Sequence, residues 1–473
     1  MAGTNRESCG VRIWRTNALQ DITFTRGSGC WVFDAGGKPY LDLLSGTWCN
    51  VLGYGHPRWT AAVSRQLSEL THVGAPFLTD AIGDALHAFA QILPPALNRA
   101  VFLNTGSEAV ELSLKMARAA TGAEGVAVIE RSYYGATIHA LSLSEAGRTA
   151  SYLPAPGAVF RLPAPDCQRC AAGRTTPCTR EFPCLDPLEA LALGVQDGRP
   201  RVAAVLYEPV LANGGVIVPP IGYGARLREL ASGGNMLLIA EEVTTGMGRT
   251  GRWFGYDHDD IVPDLLVIGK AIGAGFPVSV VVTTEDVEAR CQSRLTHVQS
   301  HQNDPLSGRV AATVISILQD EQLVERAAER GHELLGGLSR LQARGPWIRQ
   351  VRGRGLMVGI ELDPAWAKLG TEICSRLLAS GFIVNYQPHN AAFRLFPPYV
   401  ISSAEIQAFL EAFETALREI CQIQCLRKTG SLSEARRSTW TSPVRIHEAR
   451  ARPRPSQAEG RPRECPRIRA SYR

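Results

Sequence analysis

The sequence predicts an α/β fold in which a mostly parallel sheet is covered by helices. Six short apolar runs have the pattern of buried strands, and segments with helical spacing separate several of them. The predicted strands are residues 99–104, 125–130, 202–208, 236–242, 265–270 and 278–284. Polar residues stand at or just past the ends of four strands, where open parallel sheets bind their ligands. These residues are Thr105, Glu208, Glu241 and Lys270.

Bulk composition limits the class of protein. The chain has 473 residues, of which 45% are apolar, and this is enough for a large core and more than one domain. No apolar run approaches the roughly twenty residues of a membrane span, and the start has no stretch of signal-peptide type, so we expect a cytoplasmic protein. Twelve cysteines are scattered through the chain, unlike those of a small secreted disulfide scaffold.

The positive charge is concentrated in the C-terminal segment. Residues 426–473 contain thirteen Lys and Arg against four Glu, a net of +9, whereas the whole chain has +5 and residues 1–425 therefore −4. A segment rich in Pro and Arg with almost no apolar pattern is expected to be disordered. Such a tail can contact nucleic acid or acidic membranes. A solvated extension is the simpler interpretation, and we expect neither nucleic acid nor a membrane as a partner.

Two adjacent carboxylates end the strand "MLLIAEE". Side chains alternate along a strand, so Glu241 and Glu242 point to opposite faces. Burying either costs free energy unless a positive or protonated group meets it. Lys270 ends another strand among glycines. It could be an ordinary surface lysine, but a partly desolvated lysine has a lowered amine pKa and can form a Schiff base with an aldehyde cofactor.

The stretch "NTGSEAVELSLKMAR" follows a strand and opens a helix. Thr105 can cap this helix, with Glu108 as the return half of a capping box. The N–H groups of Gly106, Ser107 and Glu108 would then form an anion site at the helix N-terminus. An ordinary helix cap explains the same residues, and the motif matches neither a Walker loop nor a dinucleotide fingerprint.

Six motifs follow one another along the chain, namely "NTGSEA", "YYGAT", "EPVLANGG", "EEVTTGMGRTG", "PDLLVIGKAIGAG" and "FRLFPP". In this order and spacing they resemble class III (ω-type) aminotransferases, fold-type I enzymes that use pyridoxal 5′-phosphate. The resemblance covers about residues 14–420. It implies a large domain of residues 60–308 with a sheet of the seven-stranded type. A smaller α+β domain would combine residues 1–59 with 309–425, before the tail of residues 426–473.

The resemblance also implies roles for single residues in holding the cofactor. Lys270 would hold it as a Schiff base and carry the proton during catalysis. Gly106 and Ser107 would bind its phosphate, and Tyr133 would stack on its ring. Ser300 matches the residue that reaches the cofactor of a neighbouring subunit, so a homodimer with shared active sites is implied. No metal is expected in this site.

Two cofactor contacts depart from the pattern of the family. Glu241 stands where an aspartate usually pairs with the protonated pyridine nitrogen, and Thr244 stands where a glutamine usually faces the ring hydroxyl. We expect altered tuning of the cofactor but retained binding. Glu242 matches a structural glutamate. Arg394 matches the arginine that binds the substrate carboxylate through two hydrogen bonds, and Trp48 is predicted to bind the substrate as well.

Substrate choice follows from two further departures. The glutamate that gates the carboxylate-binding arginine is Asn213 here, and the arginine that follows the glycine of "YHGRT" is Ala136. Arg394 should therefore be ungated, with no obvious second arginine for a distal carboxylate. This weakens an assignment to 4-aminobutyrate or ornithine. It leaves transfer of an amino group from an amine or small amino acid to a 2-oxo acid, with pyruvate favoured.

Other functions stay open. Parts of the sequence are also similar to 2,2-dialkylglycine decarboxylase, but its glutamine is Thr47 here, and its ring-stacking Trp and following His are Tyr133 and Tyr134. Decarboxylation therefore ranks second and amino acid racemisation third. A catalytically silent binding protein is a further alternative, which the presence of Lys270 disfavours.

One cysteine-rich stretch belongs to none of these motifs. "CQRCAAGRTTPCTREFPC" contains Cys167, Cys170, Cys178 and Cys184. The first pair has the CxxC spacing of half a zinc ribbon, and the second pair is more loosely spaced. The four thiolates could form a structural zinc site, or the stretch could be a surface loop of reduced thiols.

Overall fold

The computed structural model describes most of the chain. The described residues are 14, 20–148, 150, 152–153, 158–170, 172–173, 176–194 and 201–428. The predicted tail from residue 429 onward lies outside them. None of the helices in this described part combines the length and hydropathy that a bilayer-spanning helix needs.

A seven-stranded sheet forms the centre of the fold, with strand order β4-β10-β9-β8-β7-β5-β6. Its middle strands are buried on both faces, as the continuous apolar runs predict. All six predicted strands are confirmed. The strands are β4 (Arg99–Leu103), β5 (Gly125–Ile129), β6 (Val159–Leu162), β7 (Val202–Tyr207), β8 (Leu237–Glu242), β9 (Leu265–Ile268) and β10 (Ser279–Thr283).

Strand directions explain where polar residues gather. β5 pairs in parallel with β6 and β7, and β8 pairs in parallel with β7 and β9. β10 is antiparallel to both β4 and β9, so the other six strands share one direction. The carboxyl ends of β4, β5, β7, β8 and β9 therefore meet at one edge of the sheet. Strand β6 escaped prediction because it has four residues, one of them Arg161, which interrupts the apolar pattern.

Two four-stranded sheets complete the strand inventory of the described residues. The order β1-β2-β3-β13 joins N-terminal strands to a late one, since β13 pairs in parallel with β3. The other sheet has the order β11-β12-β15-β14. The predicted domain boundaries stay a prediction. The strands are β1 (Phe24–Ser28), β2 (Trp31–Asp34), β3 (Pro39–Asp42), β11 (Ile348–Arg354), β12 (Met357–Leu362), β13 (Phe382–Ile383), β14 (Asn385–Gln387) and β15 (Ala392–Leu395).

Helices follow most of the central strands. In chain order they are α1 (Ser45–Trp48), α2 (Pro57–Glu69), α3 (Asp80–Ala90), α4 (Gly106–Thr121), α5 (Ile138–Leu143), α6 (Asp186–Ala192), α7 (Tyr223–Gly233), α8 (Glu285–Cys291), α9 (Pro305–Asp320), α10 (Leu323–Arg344), α11 (Gly370–Ala379) and α12 (Ser403–Lys428). The last three residues of α12 belong to the segment predicted as a disordered tail, so helical structure continues past residue 425.

Two local backbone features lie close to the carboxyl ends of the central strands or contact residues there. Thr105 caps α4 and forms the predicted capping box with Glu108. The turn α1 is unusual, because Ser45, Gly46, Thr47 and Trp48 all have φ between 49° and 74°. This left-handed conformation is strained for residues other than glycine.

Candidate active site

A cavity of about 260 Å³ lies at the edge where the carboxyl ends of the parallel strands meet. Its walls come from the residues that end or follow β4, β5, β8 and β9, together with the loop before β10. The lining residues are Cys49, Asn104, Gly106, Ser107, Tyr133, Tyr134, Gly135, Glu241, Val243, Lys270, Phe276, Pro277 and Val278.

Lys270 directly follows Gly269 and lines this cavity. Its backbone φ is 44°. Its Nζ donates a hydrogen bond to Thr244 Oγ1 at 2.7 Å. Burial lowers the pKa of the amine, and the charge of Glu241 opposes that shift. A lysine in this state can lose its proton more readily than a lysine in water, as a nucleophile or general base requires.

Glu241 faces the same cavity from β8 and is 4% exposed. Burial raises the pKa of this carboxyl, as does the charge of Glu208, whereas Lys270 lowers it. Among the described residues, no basic side chain forms an ion pair with Glu241 within 4.0 Å. The carboxyl group of Glu241 is therefore open to an ion pair with a cationic group of a ligand.

Val243 lies two residues after Glu241 and so on the same face of the chain. A Cβ added to Gly106 or to Gly269 would come within 3.0 Å of its side chain. The two glycines thus let an apolar side chain form part of the cavity wall. The sequence reasoning missed Val243, although the strand alternation that placed Glu241 contains the signal for it.

Glu208 holds the loop that carries Tyr133. Its Oε1 accepts the Tyr133 N–H at 2.7 Å, and its Oε2 accepts the Ala212 N–H at 3.0 Å. Burial raises the pKa of Glu208 to about 7, against the lowering effect of these two hydrogen bonds and of Lys270. Tyr133 itself lines the cavity and is 38% exposed.

The N-terminus of α4 supplies anion donors, with one correction. The Glu108 N–H donates to Thr105 Oγ1 at 3.2 Å, so the capping box uses it. The predicted set of three N–H donors is reduced to those of Gly106 and Ser107. Ser107 Oγ accepts the Ala136 N–H at 2.9 Å, which leaves its hydroxyl proton free for a ligand.

Arg394 is 8% exposed and lies in β15 opposite Asn385 of β14. Its Nη2 and Nε donate to Asn385 Oδ1 at 2.6 and 3.0 Å. Burial lowers the pKa of this guanidinium to about 10, and Glu208 opposes the shift. Asn213 does not bind Arg394, since its Oδ1 accepts from Gln387 instead, at 3.1 Å. The sequence held no signal for Asn385 as the partner.

Trp48 links the arginine to the lysine. Its ring lies 4.6 Å from Arg394 Cζ and 5.0 Å from Lys270 Nζ. It also stacks on Phe396 with 4.5 Å between the ring centroids. The left-handed turn α1 brings Trp48 to this place and puts the next residue, Cys49, on the cavity wall. Cys49 is a further residue that the sequence reasoning missed.

Most of the predicted site residues lie in or next to this cavity. Gly106, Ser107, Tyr133, Glu241 and Lys270 line one cavity. Thr244, Trp48 and Arg394 connect to it through the contacts described above.

Ser300 is exposed and does not line this cavity. Its predicted role toward a second subunit stays a prediction.

Glu242 points away from the cavity and accepts hydrogen bonds from Gly255 N–H, Tyr256 N–H and the Thr245 hydroxyl, as expected of a structural residue.

The donor set fits pyridoxal 5′-phosphate. A helix N-terminus suits its phosphate, a buried acid suits its ring nitrogen, and an amine suits its aldehyde. Gly135, with φ of 144°, supports the fit, because a Cβ there would lie 2.7 Å from Ser107 Oγ and crowd the phosphate donors.

The chain is similar to known proteins along most of its length. The family model "Aminotransferase class-III" matches residues 14–417. An uncharacterised aminotransferase of Schizosaccharomyces pombe is 33% identical, over 83% of this chain and 89% of the relative. An acetylornithine aminotransferase of Mycolicibacterium smegmatis is 34% identical, over 84% of this chain and 93% of the relative.

A solved structure is similar as well. It is an (S)-enantioselective ω-transaminase of Thermomicrobium roseum, which superposes with a TM-score of 0.79 at 28% identity, over 86% of this chain and 96% of the other.

Proposed function

The chain belongs to the class III aminotransferase family, whose members depend on pyridoxal 5′-phosphate, and we propose that it moves an amino group from an amine or a small amino acid to pyruvate. The observation that carries this proposal is the meeting of Lys270 and Glu241 in one cavity with the N-terminus of α4. An amine, an acid and two helix N–H groups are the three contacts that the cofactor needs.

Lys270 would hold the cofactor and move the proton. When bound, the cofactor supplies an aldehyde carbon and an electron-withdrawing ring that stabilises negative charge at the substrate's Cα. The Nζ of Lys270 would take a proton from this Cα and later return it to the aldehyde carbon of the cofactor. The lowered pKa of the amine supports this role, because a base must be partly neutral near pH 7. Thr244 Oγ1, 2.7 Å away, would keep the amine aimed into the cavity.

Glu241 would keep the ring nitrogen of the cofactor protonated. An ionised carboxylate beside that nitrogen stabilises its positive charge, and this positive charge would in turn lower the raised pKa of Glu241. Glu208 adds negative charge to the same buried region, where it holds the Tyr133 loop. The longer side chain at position 241 is thus expected to alter how strongly the ring nitrogen of the cofactor stays protonated, without preventing cofactor binding.

Arg394 would bind the single carboxylate of the substrate. Its guanidinium can form two hydrogen bonds to a carboxylate, as it now does to one oxygen of Asn385. Among the residues that line the cavity, none is an arginine, and Ala136 occupies a place where the family often has one. A second carboxylate on the acceptor would therefore lack a partner, so pyruvate should be preferred over 2-oxoglutarate.

A homodimer is part of the proposal. Ser300 is exposed, and the resemblance gives this position a contact with the cofactor of the neighbouring subunit. If so, Ser300→Ala should weaken cofactor affinity without altering any contact inside the 260 Å³ cavity.

The test is a two-acceptor assay on protein loaded with pyridoxal phosphate. Donors should include alanine, N-acetylornithine, ornithine and an amine without a carboxylate, each with pyruvate or 2-oxoglutarate, except that alanine is assayed with 2-oxoglutarate alone because its transfer to pyruvate is silent. We expect kcat/KM for pyruvate to exceed that for 2-oxoglutarate by about tenfold or more, a difference of about 1.4 kcal/mol. A clear preference for 2-oxoglutarate would overturn the pyruvate assignment. Carbon dioxide release from a dialkylated amino acid would instead support decarboxylation.

A further inference from the structure

The cysteine-rich segment between β6 and α6 gathers its four cysteines around one small cavity. Cys167, Cys170, Cys178 and Cys184 all line a space of about 40 Å³. Otherwise the described walls of this cavity are apolar or proline residues, apart from Asp166. None of the lining residues is Lys, Arg or His. The four cysteines thus line one mostly apolar space, which shares no lining residue with the active-site cavity.

Their state supports a ligand rather than a disulfide. All four cysteines are free. The Cys178 N–H donates a hydrogen bond to the sulfur of Cys167. N–H donors that point at sulfur stabilise a thiolate, and a divalent cation would supply the charge that four thiolates need.

We propose that these four cysteines bind one zinc ion in a structural, tetrahedral site. Four sulfur ligands in a closed set are the preferred environment of structural Zn²⁺, which has no vacant position for a substrate. The first pair has CxxC spacing on the short 3₁₀ turn Cys167–Arg169, and Cys184 lies on a second such turn, Pro183–Leu185. The cavity is of the size of a single bound ion or water.

Binding requires the sulfur atoms to close in. In a ZnS₄ site they would stand about 3.8 Å apart, from the Zn–S length of about 2.3 Å. Among the described residues, the group whose ligand atoms already lie close enough to hold a metal ion is His72, His301 and Asp304, within 4.8 Å of one another. The four sulfur atoms do not form such a group as they stand. Rotation of the cysteine side chains between rotamers around the existing cavity can supply this movement.

The histidine cluster is the weaker metal candidate despite its shorter separations. One oxygen of Asp304 already bonds both imidazoles, each at 2.8 Å, and the other oxygen caps α9. Hydrogen bonds therefore account for that geometry in full, whereas the four cysteines that line the other cavity are not joined by disulfides.

The position of the segment indicates what the zinc would stabilise. Asp166, just before Cys167, binds Arg131 at 2.6 Å, and Arg169 binds Glu361 of β12 at 2.5 Å. β12 pairs with β15, where Gly359 lies opposite Arg394. Zinc would fix a segment that is anchored to the strand next to the substrate-binding arginine.

The test measures metal content and coordination in the full-length protein. The chain is purified under reducing conditions without chelator. The amount of zinc per chain is then measured by inductively coupled plasma mass spectrometry. We expect about one zinc per chain. After removal of zinc, added Co²⁺ should give the near-ultraviolet thiolate-to-cobalt charge-transfer band and the d–d bands of a tetrahedral site.

Variants locate the site. Cys178→Ser and the less buried Cys170→Ser should lose the zinc and the cobalt bands, whereas Cys374→Ser, a cysteine of α11 outside the cluster, should keep both. The proposal is overturned if the wild-type chain binds neither metal after reconstitution. Retention of zinc in both cluster variants would overturn it too. Cobalt titration of the wild-type chain decides the question even where a variant fails to fold.

Discussion

Arg394 and Asn385 form a register pair between β15 and β14, and one amide oxygen accepts two hydrogen bonds from the guanidinium, at 2.6 and 3.0 Å. A neutral amide thus holds the arginine in place without neutralising it. Under the proposed function, a substrate carboxylate would meet this charge, and the amide would then influence the affinity for amino acids.

Replacement of that amide by a carboxylate is the sharpest test. Asn385→Asp should pair with Arg394 and compete with the substrate, because a hydrogen bond between charged groups contributes about 1.5–3 kcal/mol. KM for an amino acid donor should rise about tenfold or more, with little change for an amine that lacks a carboxylate. Asn385→Ala is the control, since it removes the amide without adding charge. An equal rise of KM for both donor types would contradict the role of Arg394.

Loss of the amine should abolish turnover. Lys270→Ala removes the group that would carry the proton, and such catalysis typically contributes a factor of about 10² to 10⁴. The variant should still hold cofactor and amino substrate together, visible as absorbance that persists after gel filtration. Lys115→Ala, on the exposed side of α4, is the matched control. Retained turnover in the Lys270 variant would remove the basis of the proposed mechanism.

Neutralisation of the buried acid should affect catalysis more than folding. Glu241→Gln keeps the size of the side chain but removes the charge, and we expect kcat to fall on the order of a hundredfold. The melting temperature of the cofactor-free chain should stay the same or rise, because burial of the charge is costly. Glu241→Asp should retain activity within about tenfold. An unchanged kcat in the Gln variant would show that another group balances the ring nitrogen.

Crowding of the phosphate donors should weaken cofactor binding. Gly135→Ala places a Cβ 2.7 Å from Ser107 Oγ on a backbone with φ of 144°, so the loop must shift. We expect the cofactor Kd, measured by absorbance titration, to rise about tenfold or more. Gly83→Ala is the control, because a Cβ there meets nothing within 4 Å in α3 and should stabilise the chain by about 0.5–1 kcal/mol. Equal affinities in the two variants would contradict the assigned phosphate site.

Glu242 should make the stability of the chain depend on pH in a characteristic way. Burial raises the pKa of Glu242 to about 7. Its contribution to stability is therefore complete below its unfolded pKa of about 4.3 and is lost as the pH rises through 7. Glu242→Gln lacks this loss.

Urea unfolding between pH 4.5 and 8 measures the effect. The stability of the Gln variant relative to wild type should increase with pH, by up to roughly 3 kcal/mol, on top of a constant cost for its broken hydrogen bonds. The exposed Glu325→Gln serves as the control. Parallel pH profiles for wild type and Glu242→Gln would contradict the raised pKa.

The sequence predicted the central sheet well, because long apolar runs leave few alternatives to buried parallel strands. It also placed the polar residues at one edge, and the capping box of Thr105 and Glu108 followed from a local pattern alone. Strand β6 was missed because four residues with an arginine among them carry no distinct periodicity.

Long-range partners in the site could not be predicted in the same way. Asn385 meets Arg394 only through the register of β14 and β15, which no local pattern specifies. The left-handed turn α1 is also invisible in the sequence, because three of its four residues are types that normally avoid that conformation. Cys49 reaches the cavity only as a result of this turn.

The turn α1 couples the two halves of the site. Three residues other than glycine in left-handed conformation cost about 1–2 kcal/mol each. The packing of Trp48 on Phe396 and the hydrogen bond from Ser45 to the Phe396 carbonyl oxygen must offset this cost. Such a segment opens locally at a lower free energy than the sheet around it. One local opening would therefore withdraw the Trp48 ring from Arg394 and Lys270 at the same moment, and water would then reach both of these side chains together.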